Sequence, residues 1–147
     1  AQKKPAAIVN TGSKQGITNP PSNFAYNSTK AALRFATEGL AHQLRNLDGC
    51  EVTAHLLIPG FTYTGMTARR MPEKPPAAWT PEQVVERMIQ GIDRGDFYIL
   101  CPDNETTPEM DALRIEWAAA DIAQNRPALS RWRPDFKEAF ARHMAKS

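Results

Sequence analysis

The sequence predicts an α/β fold built on a parallel sheet, and three observations carry that reading. Apolar runs at residues 5–11, 51–60 and 97–100 have the length of strands, and the segments between them carry helical spacing. The order strand, helix, strand, helix, strand calls for crossover helices between parallel neighbours. Hydrophobic residues make up 41% of a 147-residue chain, enough for one core and one domain.

The first run, PAAIVNT (5–11), is ended by Gly12 and reads as a strand buried on both faces. SKQGITNPPSNF follows, rich in Gly, Pro, Asn and Ser, and reads as a loop. From about Ala25 the pattern turns helical. Leu33, Leu40, Leu44 and Leu47 fall at helical spacings, with small Ala32, Ala36 and Gly39 among them and a stop near Asp48-Gly49. EVTAHLLIPG (51–60) is a second buried strand, closed abruptly by Pro59-Gly60.

Residues 61–79 have no sustained period and carry three prolines, yet are too apolar for a disordered linker; they read as an ordered lid or binding loop. A helix then starts at Thr80-Pro81-Glu82-Gln83, with Thr80 as N-cap, proline at the first helical position and Gln83 closing a capping box. Val84, Val85, Met88, Ile89 and Ile92 form its apolar face, Gly95 ends it, and FYIL (97–100) is the third strand.

Residues 103–147 read as a helical extension. Thr107-Pro108 opens one helix, with Met110, Leu113 and Trp117, and Pro134 opens another, with Phe136, Phe140 and Met144. The stripe Trp132, Phe136, Phe140 at four-residue intervals reads as packing against the body or a second subunit rather than as a cofactor box. The chain has no internal repeat.

Composition excludes several function classes. Net charge is +2 with both signs interspersed, and the cluster Arg69, Arg70, Lys74 is too short for a nucleic-acid arm and lacks interleaved aromatics. No run of eighteen apolar residues occurs, and AQKKPAAIVN is too short in apolar residues for a secretory signal, so the expectation is a cytoplasmic protein with no membrane partner. Cys50 and Cys101 lie far apart in or beside apolar segments and read as packing residues. His42, His55 and His143 are scattered, so no metal site is expected.

The chemistry lies in three residues. Ser13 sits where a strand gives way to a loop, at the carboxyl end where open parallel sheets bind ligands. Tyr26 and Lys30 are four apart in a helical segment, so their side chains share one face. A free tyrosine, with a pKa near 10, is a poor proton donor or acceptor at neutral pH; a nearby ammonium favours the phenolate and brings it closer to the useful range. The serine hydroxyl and the phenol can converge on one substrate oxygen. Each residue alone is weak; the ordered set is specific.

IVNTGS, then thirteen residues from Ser13 to Tyr26, then YNSTK, an apolar helix and LLIPGFTYTGM resembles the short-chain dehydrogenase/reductase family over about residues 5–101. The strand-serine, Tyr-x-x-x-Lys and Pro-Gly motifs stand in that family's order. The tail NRPALSRWRPDFKEAFARHM resembles that of one bacterial subgroup. The resemblance implies a Rossmann-type doubly wound sheet and an NAD or NADP cofactor, with a small carbonyl or alcohol substrate. It implies Tyr26 as general acid or base, Ser13 orienting the carbonyl, and Lys30 binding the nicotinamide ribose while depressing the tyrosine pKa. Pro59, Gly60, Phe61 and Thr62 would pass beside the nicotinamide, and Thr64 would meet its carboxamide or the pyrophosphate. The loop 61–79 would cover the substrate, with Met66, Met71 and Trp79 as candidate walls. A homodimer or homotetramer through the tyrosine helix is expected by the same resemblance.

The sequence departs from the family at its start. Holding a dinucleotide pyrophosphate needs a glycine-rich turn between first strand and first helix, and the only early glycines, Gly12 and Gly16, lie in the serine loop. The family's asparagine before the serine strand and its NAD/NADP-selecting residue have no counterpart; Asn10 does not replace the former by position. Three strands make half a doubly wound sheet and would leave residues 5–11 as an exposed apolar edge. The expectation is therefore the C-terminal half of a Rossmann-type domain, and the absence of an initiator methionine at Ala1 agrees with it. A second reading is a non-catalytic oligomerisation or interaction module, acting through the Leu33–Leu47 helix and the aromatic C-terminal stripe.

Overall fold

The structure, a computed structural model, describes residues 4–21 and 23–145, so the sequence readings that fall on Ala1 and Ser22 lie outside the described residues. Three parallel strands, β1 (Ala6–Thr11), β2 (Val52–Ile58) and β3 (Tyr98–Leu100), form one sheet in the order β1-β2-β3. The register runs from Ala6 opposite Val52 to Thr11 opposite Leu57, and from Leu56 opposite Tyr98 to Ile58 opposite Leu100. All three strands therefore end at the same edge.

Strand β2 has partners on both sides and bears out the doubly buried pattern: every residue from Ala54 to Ile58 is buried. Burying its Leu56, Leu57 and Ile58 contributes about 1.5–3 kcal/mol each. In β1 the expected burial on both faces is not met. Among the described residues it pairs only with β2, and Ala7, Ile8 and Thr11 are exposed, so β1 carries a free apolar edge.

The helix α2 (Phe24–Arg45) covers one face of the sheet, where Asn10 donates from Nδ2 to Thr37 Oγ1 at 3.0 Å and Tyr98 donates from its hydroxyl to Glu38 at 2.8 Å. The other face packs on α4 (Pro81–Arg94), through a core of Leu57, Val84, Ile99 and Cys101 with Val9, Trp79, Met88 and Ile92 against it. Alternate residues of each strand serve the two layers, as a doubly wound sheet requires. The predicted caps of α4 form: Thr80 Oγ1 accepts from the Gln83 N–H, Gln83 Oε1 accepts from the Thr80 N–H, and Gly95 closes the helix at φ +75°.

Three local expectations are corrected. Helix α2 stops at Arg45, short of Asp48-Gly49, because the Asn46 side chain donates to the His42 carbonyl at 2.9 Å, and the chain turns at Gly49. The serine loop contains a helical turn, α1 (Gln15–Thr18), and the 61–79 loop another, α3 (Gly65–Ala68). The helix expected to open at Pro134 with Phe136, Phe140 and Met144 is not α-helical from that residue. Short 3₁₀ turns at Ser130–Trp132 and Pro134–Phe136 precede α6 (Lys137–Met144), since Pro134 interrupts the helical ladder. Phe140 meets Trp117 of α5 (Pro108–Ala123) edge-on, with ring centroids 5.3 Å apart, the packing against the body expected of that residue.

Candidate active site

The carboxyl ends of β1 and β2 open into a cleft of about 640 Å³. Ser13, Tyr26, Lys30, Pro59, Gly60, Phe61, Thr62 and Thr64 all line it. The sheet explains why. Ser13 follows β1 and Pro59 follows β2, so the two segments leave the same edge side by side, with the Gly12 N–H donating to the Leu57 carbonyl at 2.7 Å.

Tyr26 is placed by the start of α2, where Asn23 caps the helix and its Oδ1 accepts from the Tyr26 N–H at 3.3 Å. Lys30, one turn on, reaches back to β1: its Nζ donates to the Thr11 carbonyl at 2.8 Å and sits 5.6 Å from the centre of the Tyr26 ring. The Ser13 hydroxyl accepts from the Gln15 N–H at 3.2 Å. The arrangement offers two hydroxyl groups and an ammonium around one opening, which can hold and protonate a small polar atom such as a carbonyl oxygen.

Three residues that the sequence reading assigned no role build this geometry. Asn27 is buried inside α2, where its Nδ2 donates to Asn19 Oδ1 at 3.0 Å and to the Pro20 carbonyl at 2.8 Å. The loop from Ser13 is thereby fastened to the helix turn carrying Tyr26. An asparagine in a helix interior is a poor helix former and was the one legible signal. Gly16 packs so tightly that a Cβ would lie 2.6 Å from the Lys30 carbonyl carbon. Lys14, beside Ser13, forms an ion pair with Asp111 of α5 at 2.5 Å and approaches Asp103 at 3.9 Å. Burial pushes the Asp111 carboxyl up from its usual range, outweighing the opposing pull of Lys14.

The 61–79 loop is ordered and closed at its base. The Trp79 N–H donates to the Phe61 carbonyl at 2.9 Å, and the Tyr63 N–H to the Trp79 carbonyl at 2.8 Å. Its middle is tied by the Tyr63 hydroxyl, which donates to the Met71 and Pro72 carbonyls at 3.0 and 2.8 Å. Of the candidate walls, Met66 lines the cleft, Trp79 packs on the core, and Met71 lines neither. Both cysteines are free, with Cys101 fully buried, and no metal-binding group of His, Cys, Asp or Glu exists among the described residues. No helix among the described residues is long and apolar enough to cross a membrane.

No curated protein matches the chain. A crystal structure of a short chain dehydrogenase/reductase from Burkholderia phymatum, in complex with NAD, matches with a TM-score of 0.70 and 31% identity. The match covers 86% of this chain and 51% of that one, so the chain spans about half the length of that structure. The family model for short chain dehydrogenases matches residues 1–75, which hold the serine strand and the Tyr-x-x-x-Lys motif. With its sheet of three parallel strands between helices, this chain belongs to the short chain dehydrogenase family.

Proposed function

We propose that the chain is the catalytic half of an NAD(P)-dependent oxidoreductase that interconverts a carbonyl and an alcohol. One observation carries the reading: segments from three parts of the chain bring Ser13, Tyr26, Lys30 and the Pro59–Thr64 turn to a single cleft. Packing alone asks for none of the three polar side chains there.

In the reductive direction Tyr26 gives its phenolic proton to the substrate oxygen while Ser13 holds that oxygen by a hydrogen bond; in oxidation the proton returns to Tyr26. The ammonium of Lys30, 5.6 Å from the ring centre, stabilises the negative charge left on the phenol oxygen and, on this reading, also binds a ribose hydroxyl of the cofactor. The nicotinamide cofactor supplies or accepts the hydride. The residues present fit its reacting end. A Cβ at Gly60 would lie 3.1 Å from Asp103, Cys101 and Lys14 atoms, a tight fit that glycine avoids and that keeps the Pro59–Thr62 backbone close along the cleft. A glycine-rich turn for the pyrophosphate is absent from the sequence and belongs to a preceding half of the domain. The substrate is a small carbonyl or alcohol covered by the 61–79 loop.

Tyr26→Phe in the complete gene product is expected to lower kcat by about 10²–10⁴-fold while leaving dinucleotide affinity nearly unchanged. Steady-state kinetics beside a dinucleotide titration checks this, and unaltered turnover removes the assigned role.

A homodimer or homotetramer through α2 accompanies this reading. Phe24 and Phe35 are 81% and 63% exposed, and Ala32, Ala36 and Gly39 are exposed along the same helix, so a second helix can approach closely. The same uncovered face favours the alternative of a non-catalytic interaction module. Folded oligomers of the complete gene product with no dinucleotide binding would select it.

A further inference from the structure

We propose that the cavity between the serine loop and the C-terminal extension binds a small organic acid, its carboxylate held by Arg114 and Arg131 and its apolar body by aromatic walls. The cavity has a volume of about 460 Å³, in the range of small-molecule sites. Ile17, Trp117, Leu129 and Trp132 give it an apolar lining. It shares no lining residue with the catalytic cleft, although both adjoin the serine loop: residues 11–15 line the cleft and 17–19 line this cavity.

The charge around it is unbalanced. Arg126 pairs with Asp121 at 2.9 Å and donates from Nη2 to the Trp117 carbonyl, although its Nε, like that of Arg114, is buried without a hydrogen-bond acceptor. Arg131 has no carboxylate partner among the described residues; its guanidinium lies over the Trp132 and Phe140 rings, 4.8 and 5.1 Å from their centres. The carboxylate nearest Arg114 is Asp111, at 3.9 Å, and Asp111 is already engaged by Lys14 at 2.5 Å. Arg114 donates from Nη1 to Thr106 Oγ1 at 3.3 Å, while its Nε is buried without a hydrogen-bond acceptor. Burial and the like charge of Arg114 push the Arg131 guanidinium down from its usual range.

Two crowded guanidinium groups with an unmet donor favour an anion, and the planar fork of arginine suits a carboxylate. Trp117 and Trp132 suit an apolar or aromatic body, which a bare inorganic anion would leave unfilled. The inference is independent of the cofactor reading.

Intrinsic tryptophan fluorescence of the complete gene product tests it, because Trp117 and Trp132 line the cavity. Benzoate is titrated without dinucleotide, with benzamide and inorganic phosphate as controls. Saturable quenching by benzoate is expected, with benzamide and phosphate weaker by about tenfold or more. Arg131→Gln and Arg114→Gln should each weaken benzoate by about tenfold, with Arg131→Gln the decisive variant should loss of Arg114 unfold the chain. Absence of saturable quenching, equal binding of benzamide, or indifference to Arg131→Gln overturns the site. Phosphate binding as tightly as benzoate overturns the organic-acid assignment.

Discussion

Gly16 shows how one residue holds the cleft together. Its backbone abuts the Lys30 turn of α2, with a Cβ placed 2.6 to 2.8 Å from Lys30 and Ala31 atoms, mostly backbone that cannot swing aside. Gly16→Ala is expected to destabilise the fold by about 1–3 kcal/mol and to displace Ser13 from Lys30. Thermal melts of the variant beside the parent protein check this, and an unchanged midpoint would contradict the close approach of Gly16 to α2. Cys101 offers a second test at this scale. Burial pushes its thiol up to about 11, so at pH 8 the reactive thiolate is roughly one molecule in a thousand. Iodoacetamide should label the partly exposed Cys50 first and reach Cys101 only on unfolding; rapid labelling of Cys101 in the native protein would contradict its place in the core.

Among the elements, α5 is tied to the serine loop by the Lys14–Asp111 ion pair. Asp111 is 5% exposed, and removing it leaves Lys14 without its nearest counter-charge. Asp111→Ala should cost about 3–5 kcal/mol, whereas the double variant Lys14→Met, Asp111→Leu should recover most of it. Denaturant unfolding of both variants decides the matter, and additive losses would show that the pair does not act as a unit. Element type was legible wherever local chemistry is strong. The capping box of Thr80 and Gln83 placed α4 correctly, but of its expected apolar face only Val84, Met88 and Ile92 meet the core while Val85 and Ile89 are exposed; its Gly91 lets Ile99 of β3 approach to within 2.8 Å of where a Cβ would stand. The C-terminal stripe was read as packing, and Phe140 does pack on Trp117; the 3₁₀ turn that starts at Pro134 ahead of α6 was not legible, because spacing alone does not separate it from the first turn of an α-helix.

For the molecule as a whole, the decisive feature is the free edge of β1. Its outer N–H and C=O groups face no strand among the described residues, Ile8 is 38% exposed, and α2 presents Phe35 to solvent. If the chain is half of a domain, the 147 residues produced by themselves are expected to self-associate through this edge. Light scattering after size exclusion checks this; a stable, soluble monomer would count against the half-domain reading.

The sequence by itself determined the parallel α/β order, the three strands, the caps of α4 and the identity of Ser13, Tyr26 and Lys30 as one set. These follow from local periodicity, capping chemistry and motif spacing, which need no knowledge of distant contacts. Only the tertiary structure decided that Lys30 is anchored on the Thr11 carbonyl, that Asn27 and Gly16 lock the serine loop to α2, and that Lys14 reaches α5. Each depends on residues 7 to 97 positions apart meeting in space. A buried amide, a glycine without room for a Cβ and a surface-type lysine all look ordinary until the sheet brings their partners to them.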